Sequence, residues 1–284
     1  MQFVVQTTWG HLVAWYLFLA GAGAGVYMLG IGSKLWRRDD SLARTAYFWG
    51  PALVAFGSLL LVLDLGQPTR AVLAVIRFYS SMISIGTIIL ALFICLGLYQ
   101  FYCAWAKKEA LPVFDRIGFG LAIGTATYTG LLLGVVKAIP FWNNPLLPAL
   151  FLLSALSSGA GLVLVLAVID KGLRGVKETV IVTVMHLDLW LLFSKAFLLT
   201  ALLVVAGTGN AATVASVDIL LKGSLALPFW GLVVFAGLAL PLYIELCSKD
   251  HSSKNALICG LGLLVGALAL RYSIVVAGVW MPLG

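Results

Sequence analysis

Long apolar stretches separated by short polar connections run the length of the chain. Eight of them, at about 12–33, 46–63, 80–104, 117–137, 147–169, 181–206, 225–246 and 256–278, approach or exceed the roughly 20 residues that a spanning helix needs. None alternates apolar with polar positions as the strands of a membrane barrel do. The pattern predicts an all-α membrane protein, with residues 1–284 forming a single integral membrane domain of eight transmembrane helices. The longest connection falls at about 207–224, so no soluble domain is expected and chemistry on a water-soluble substrate is left to another chain.

Composition strengthens this picture. Of the 284 residues, 62% are hydrophobic and 10% charged, against about 25% charged in soluble domains. Charge then gives a direction. The connections after helices one, three, five and seven hold twelve of the eighteen Lys and Arg residues, and those after helices two, four and six hold four. The rule that cytoplasmic connections are basic places both termini on the outer, periplasmic side of a cytoplasmic membrane. The net charge of +7 is thereby explained by topology and anionic lipid, and nucleic-acid binding is not needed. No basic segment precedes the first span and no small-residue cleavage site follows it, so it is expected to be retained.

Several cofactor classes drop out. A haem held between membrane helices generally needs two facing histidines, and His11, His186 and His251 lie at unsuitable depths for any pair. Cys95, Cys103, Cys247 and Cys259 lack metal-ligand spacing, so neither haem, iron–sulfur cluster nor other metal is expected in this chain. The glycines of "AGAGAGVYM" have no preceding strand and cannot form a dinucleotide loop. Gly21 and Gly25, four apart, instead allow a second helix to approach closely. The Gly-Ala-Gly of helix one, starting at 23, is echoed in helix five at 159, which suggests two four-helix bundles.

Ionisable residues at membrane depth are costly and read first as functional. His11, Asp64, Arg70, Lys137, Tyr128 and Arg271 sort to the outer side. His186, Asp188 and Glu245 sort to the cytoplasmic side, and Lys195 lies near the middle of helix six. Asp64 and Arg70 bracket the turn "DLGQPTR", where a local ion pair is one reading and proton release another. Ser80 or Ser81 is read as a cap for helix three, and Trp142 as an interfacial anchor. Asp188 and Lys195 are seven residues apart on one helix face; the rise of about 10.5 Å is too long for direct pairing without water or bent side chains. They are candidates for a proton path, or Lys195 holds carbonyls or a carboxylate at a bundle seam.

Taken together, "WYLFLAGAGAG", "LDLGQPTR", "SSMISIGT", "YTGLLLG" and "PFWNNPLLPALFLLSALSSGAG" resemble the NrfD family of polysulfide-reductase-type membrane subunits, across all eight spans in order. The turn before helix three reads "SSM" where the family often has Ser-Pro-Met. The resemblance implies a haem-free anchor that binds menaquinone or ubiquinone near its outer face. It also implies partners: a ferredoxin-like iron–sulfur subunit and a molybdopterin catalytic subunit. Carried onto this sequence, the family's quinone residues fall on His11, Tyr128 and Thr8, the last standing where an amide residue is expected.

The residues themselves agree with that chemistry. Histidine titrates near neutrality, with an ordinary value of about 6.5, and can take a quinol proton. A tyrosine hydroxyl can donate to a quinone carbonyl. The same two residues are also ordinary occupants of a membrane interface. Two other classes stay open: a secondary transporter, which also carries midplane charges and repeats, and a structural anchor without quinone. Apart from Pro241 the prolines sit mostly at helix ends, against the broken helices of a transporter.

Overall fold

The computed structural model of the protein describes residues 4–64, 82–108, 111–169, 178–247 and 252–281. The readings made for Arg70, Ser80, Ser81 and His251 lie outside the described residues. Among those described, eight helices are long and apolar enough to cross a membrane. The protein is a multi-pass, all-helical membrane protein.

The spans are α1 (His11–Gly32), α2 (Ala43–Asp64), α3 (Met82–Trp105), α4 (Pro112–Gly134), α5 (Leu146–Ile169) and α6 (Glu178–Gly207), then α8 (Ala226–Cys247) and α9 (Ser253–Val276). A short helix, α7 (Ala211–Leu221), occupies the longest of the connections. Its first turn is closed by Asn210, whose side chain accepts the Thr213 amide at 2.9 Å. Two-residue strands β1 (Val4–Val5) and β2 (Val279–Trp280) pair antiparallel, which ties the two termini together at one end of the molecule.

Helix α1 is the most buried span, packing on α2, α4, α5 and α9. With so few polar side chains, its packing depends on how closely backbones can approach. Gly25 meets the Ala155 carbonyl and Gly159 of α5, with no room for a Cβ on either glycine. The two echoed Gly-Ala-Gly triplets thus pack against each other. Gly161 and Gly260 make the same close approach between α5 and α9, and Gly237 and Gly266 between α8 and α9.

Helix α4 starts at Pro112, five residues before the expected start near 117, with proline at its first position and Asp115 in its first turn. Wide i→i+5 turns extend α1 over Ser33–Arg37 and form Phe229–Ala239 within α8. Trp142, expected at an interface, is buried. Its indole donates to the Ile274 carbonyl at 2.8 Å and lies beneath Trp9, ring centroids 5.2 Å apart.

Candidate functional site

Three polar constellations interrupt the apolar interior. The first lies at the end holding the termini, among α1, α3 and α4. Tyr128 is buried, and its ring occupies the space above Gly86, where a Cβ would overlap it. Tyr16 of α1 lies within electrostatic reach of Tyr128. The Tyr16 hydroxyl and Thr125 Oγ1 are buried without a hydrogen-bond partner among the described residues. His11 is the first residue of α1 and is exposed at the rim. It precedes Tyr16 by five residues, a rise of about 7.5 Å.

His11 and Tyr128 therefore belong to the same end of packed helices but do not hydrogen-bond each other. Thr8 and Asp64 are both exposed, and among the described residues neither bonds to that pair. The amide group nearest in sequence is that of Gln6, and it is already used. Its Oε1 accepts the Trp9 amide at 2.9 Å, while Nε2 donates to the Trp9 and Val275 carbonyls at 2.8 and 2.9 Å.

The second constellation fills the seam of α5, α6, α8 and α9. Lys195 is 3% exposed and donates to Ser157 Oγ at 3.3 Å and to the Gly237 carbonyl at 3.2 Å. Pro241 has no N–H to give to the carbonyl four residues before it, which is that of Gly237. Asp188 is completely buried. Its carboxylate lies near the Lys195 ammonium and beside the Ser157 hydroxyl that Lys195 also reaches. Glu245 follows towards the end opposite the termini, accepting from Cys259 Sγ at 3.4 Å. In the other direction Arg271 is fully buried, donating to Ser154 Oγ at 2.9 Å and to the Ala267 and Phe151 carbonyls at 3.1 and 3.4 Å. Gly21 of α1 leaves the space for its guanidinium, and the Phe151 ring lies 5.1 Å from it.

The third constellation is one that the sequence reading misses. Near the end opposite the termini, Asp115 Oδ1 accepts Tyr47 Oη at 2.6 Å and Gln100 Nε2 at 2.9 Å, while Oδ2 pairs with Lys34 Nζ at 2.9 Å. Tyr27 Oη donates to Gln100 Oε1 at 2.6 Å. This network ties α1 through α4 together. The signal is present, since Asp115 follows Pro112 at a helix-starting spacing, but a start at 117 puts it in a connection. Tyr16 escapes notice because it sits inside the apolar run "WYLFLA". Among the described residues, no three His, Cys, Asp or Glu side chains converge as metal ligands.

Comparison with known proteins matches residues 3–282 to the family described as polysulphide reductase, NrfD. The chain belongs to the NrfD family. It is 32% identical to a polysulfide reductase chain of Wolinella succinogenes and 29% identical to protein NrfD of Escherichia coli, each over 95% of this chain and 94% of the relative. It is also 27% identical to a selenate reductase subunit of Mesobacillus selenatarsenatis, over 56% of this chain and 48% of that protein. The motifs that point to the NrfD family include both segments whose glycines meet at the α1–α5 contact.

Proposed function

We propose that this NrfD-family chain is the haem-free membrane subunit of a respiratory oxidoreductase, binding quinone at the end that carries the termini and exchanging electrons with an iron–sulfur partner. The relatives named for polysulfide and selenate reductases support a place in a reductase complex. A ferredoxin-like subunit and a molybdopterin subunit are the proposed companions, and the cytoplasmic membrane the proposed location.

One observation carries the quinone reading. Two buried hydroxyls, Tyr16 and Thr125, lack partners beside the buried Tyr128 and below the rim residue His11. Orphaned buried hydroxyls are rare, and a carbonyl-bearing ring would satisfy them. The residues therefore fit the group. Menaquinol or ubiquinol, when bound, supplies two electrons and two protons. Tyr16 and Tyr128 would donate to a quinone oxygen, and His11 would take the two protons in turn at the aqueous rim, with Asp64 passing each to the outer phase. Thr8 borders the entrance.

The proposed arrangement is two four-helix bundles, α1–α4 and α5, α6, α8 and α9, joined mainly through α1, α5 and α9, with both termini periplasmic. The packing partners of each helix support it. The seam cluster of Asp188 and Lys195 is proposed as a proton path. Glu245 lies on one side of it and Arg271 on the other, and the widened turns of α8 leave Gly237 available to Lys195.

The test is turnover of a menaquinol analogue by the purified complex. His11→Ala is expected to lower kcat about 100-fold, the lower end of the usual contribution from a general acid or base. Unchanged turnover would remove His11 from the site.

A further inference from the structure

A groove lies away from the proposed quinone site, at the end opposite the termini. It has a volume of about 660 Å³, within the range of roughly 300–1,000 Å³ typical of small-molecule sites. Its floor is Leu156 of α5 and Met28 of α1, and Phe119 of α4 and Leu187 and Trp190 of α6 form its walls. It therefore runs from the helix ends to the middle of the bundle.

The mouth is built by the widened turn Ser33–Arg37, after which Arg38 adopts a left-handed backbone, φ 55°. That turn carries the Trp36 ring back over Gly32, where it meets Phe119 edge-on at 5.0 Å. Trp36 remains 69% exposed and Trp190 72% exposed, so the groove opens sideways as well as at its mouth. Arg37 lines that mouth and donates to Thr183 Oγ1 at 2.7 Å, using one of five N–H donors. Asp39 lines it too, with Oδ1 accepting the Ser41 amide at 3.0 Å. Arg38 and Arg44 stand exposed nearby.

We infer that this groove binds the headgroup and one chain of an anionic phospholipid. The apolar body and sideways opening suit an acyl chain held partly in the bilayer. The guanidinium at the mouth suits a phosphate, which it can meet with two parallel hydrogen bonds. Basic pockets between membrane helices on the cytoplasmic side recognise anionic headgroups by the same logic. A neutral isoprenoid amphiphile would fill the body but leave the free donors of Arg37 unused.

Tryptophan fluorescence of the full-length chain in mixed micelles tests this, with brominated phosphatidylglycerol or brominated phosphatidylcholine as quencher. The expected result is a saturable quench reached at about fivefold lower mole fraction with brominated phosphatidylglycerol. Trp36→Phe with Trp190→Phe should remove that saturable component. Arg37→Gln, at an exposed position, should bring the two quenching curves together, and Leu156→Phe should weaken both by filling the floor. Coincident curves in the unaltered protein would overturn the proposal. So would displacement of brominated phosphatidylglycerol by a neutral quinone with unchanged strength in Arg37→Gln.

Discussion

A buried hydroxyl without a partner costs about 1–3 kcal/mol, and Tyr16 carries that cost in the protein as it stands. Removing it should separate folding from binding. Tyr16→Phe is expected to leave thermal stability unchanged or raise it by about 1 kcal/mol, while increasing KM for a menaquinol analogue several-fold. A loss of stability with unaltered KM would make the hydroxyl a structural group and sink its role in the site. Lys195 presents the opposite situation. It is buried and bonded, yet it makes no direct ion pair with Asp188, the buried carboxylate nearby, among the described residues. Taking away one member of a buried charged pair leaves the other uncompensated, at a cost of about 3–5 kcal/mol. Lys195→Met should therefore destabilise the protein strongly, and adding Asp188→Asn should restore at least half of the loss in unfolding titrations. Quinol turnover measured on refolded Lys195→Met should stay within about twofold, since a 1.4 kcal/mol change in barrier is already tenfold. Vesicle proton uptake should fall if the seam conducts, and stay level if Lys195 only holds α8 to α5.

Among the helices, the decisive contact is the crossing of α1 and α5, where two glycines face backbone atoms rather than side chains. Gly25→Ala places a methyl group against the Ala155 carbonyl, so the helices must separate. Overpacking of this kind costs about 1–3 kcal/mol, and because α1 touches four other spans the shift cannot stay local. A lowered melting temperature is expected for Gly25→Ala, against little change for Gly120→Ala, where open space surrounds the glycine. The repeat of Gly-Ala-Gly is legible in the sequence because small-residue spacing is itself the packing code in a membrane. The spans are legible for a similar reason, their length and hydropathy being dictated by the bilayer. The start of α4 is not, since hydropathy rises only after Asp115 and Arg116 while the helix begins at the proline before them. That displacement hides the Asp115 network, whose members come from four helices. Trp142 is misplaced because hydropathy cannot tell an indole at the lipid interface from one buried under Trp9. The site itself is half legible: His11 and Tyr128 stand out as polar groups near one face, whereas Tyr16 and Thr125 gain meaning only from being unpartnered in three dimensions.

Taken whole, the molecule must sit in the membrane in one orientation if a partner is to meet the proposed quinone end. The eight spans and the β1–β2 pairing put both termini at a single end, and the basic connections lie at the other. If positive connections are retained inside, a quinol bound as proposed would release its protons outwards and the proposed partner would dock on the periplasmic face. Two positions report on this directly. Gly10 has open space around it at the end of the termini, so Gly10→Cys should be tolerated. Cys247 is exposed at the last turn of α8, at the opposite end. In intact spheroplasts a membrane-impermeant maleimide should label Gly10→Cys and leave Cys247 unlabelled until the membrane is opened. The reverse pattern would turn the molecule over, move the rim at His11 to the cytoplasm and require the iron–sulfur partner to dock there. Labelling of both positions before opening would contradict the odd number of spans between them, and with it the single-ended placement of the termini on which the outward release of protons depends.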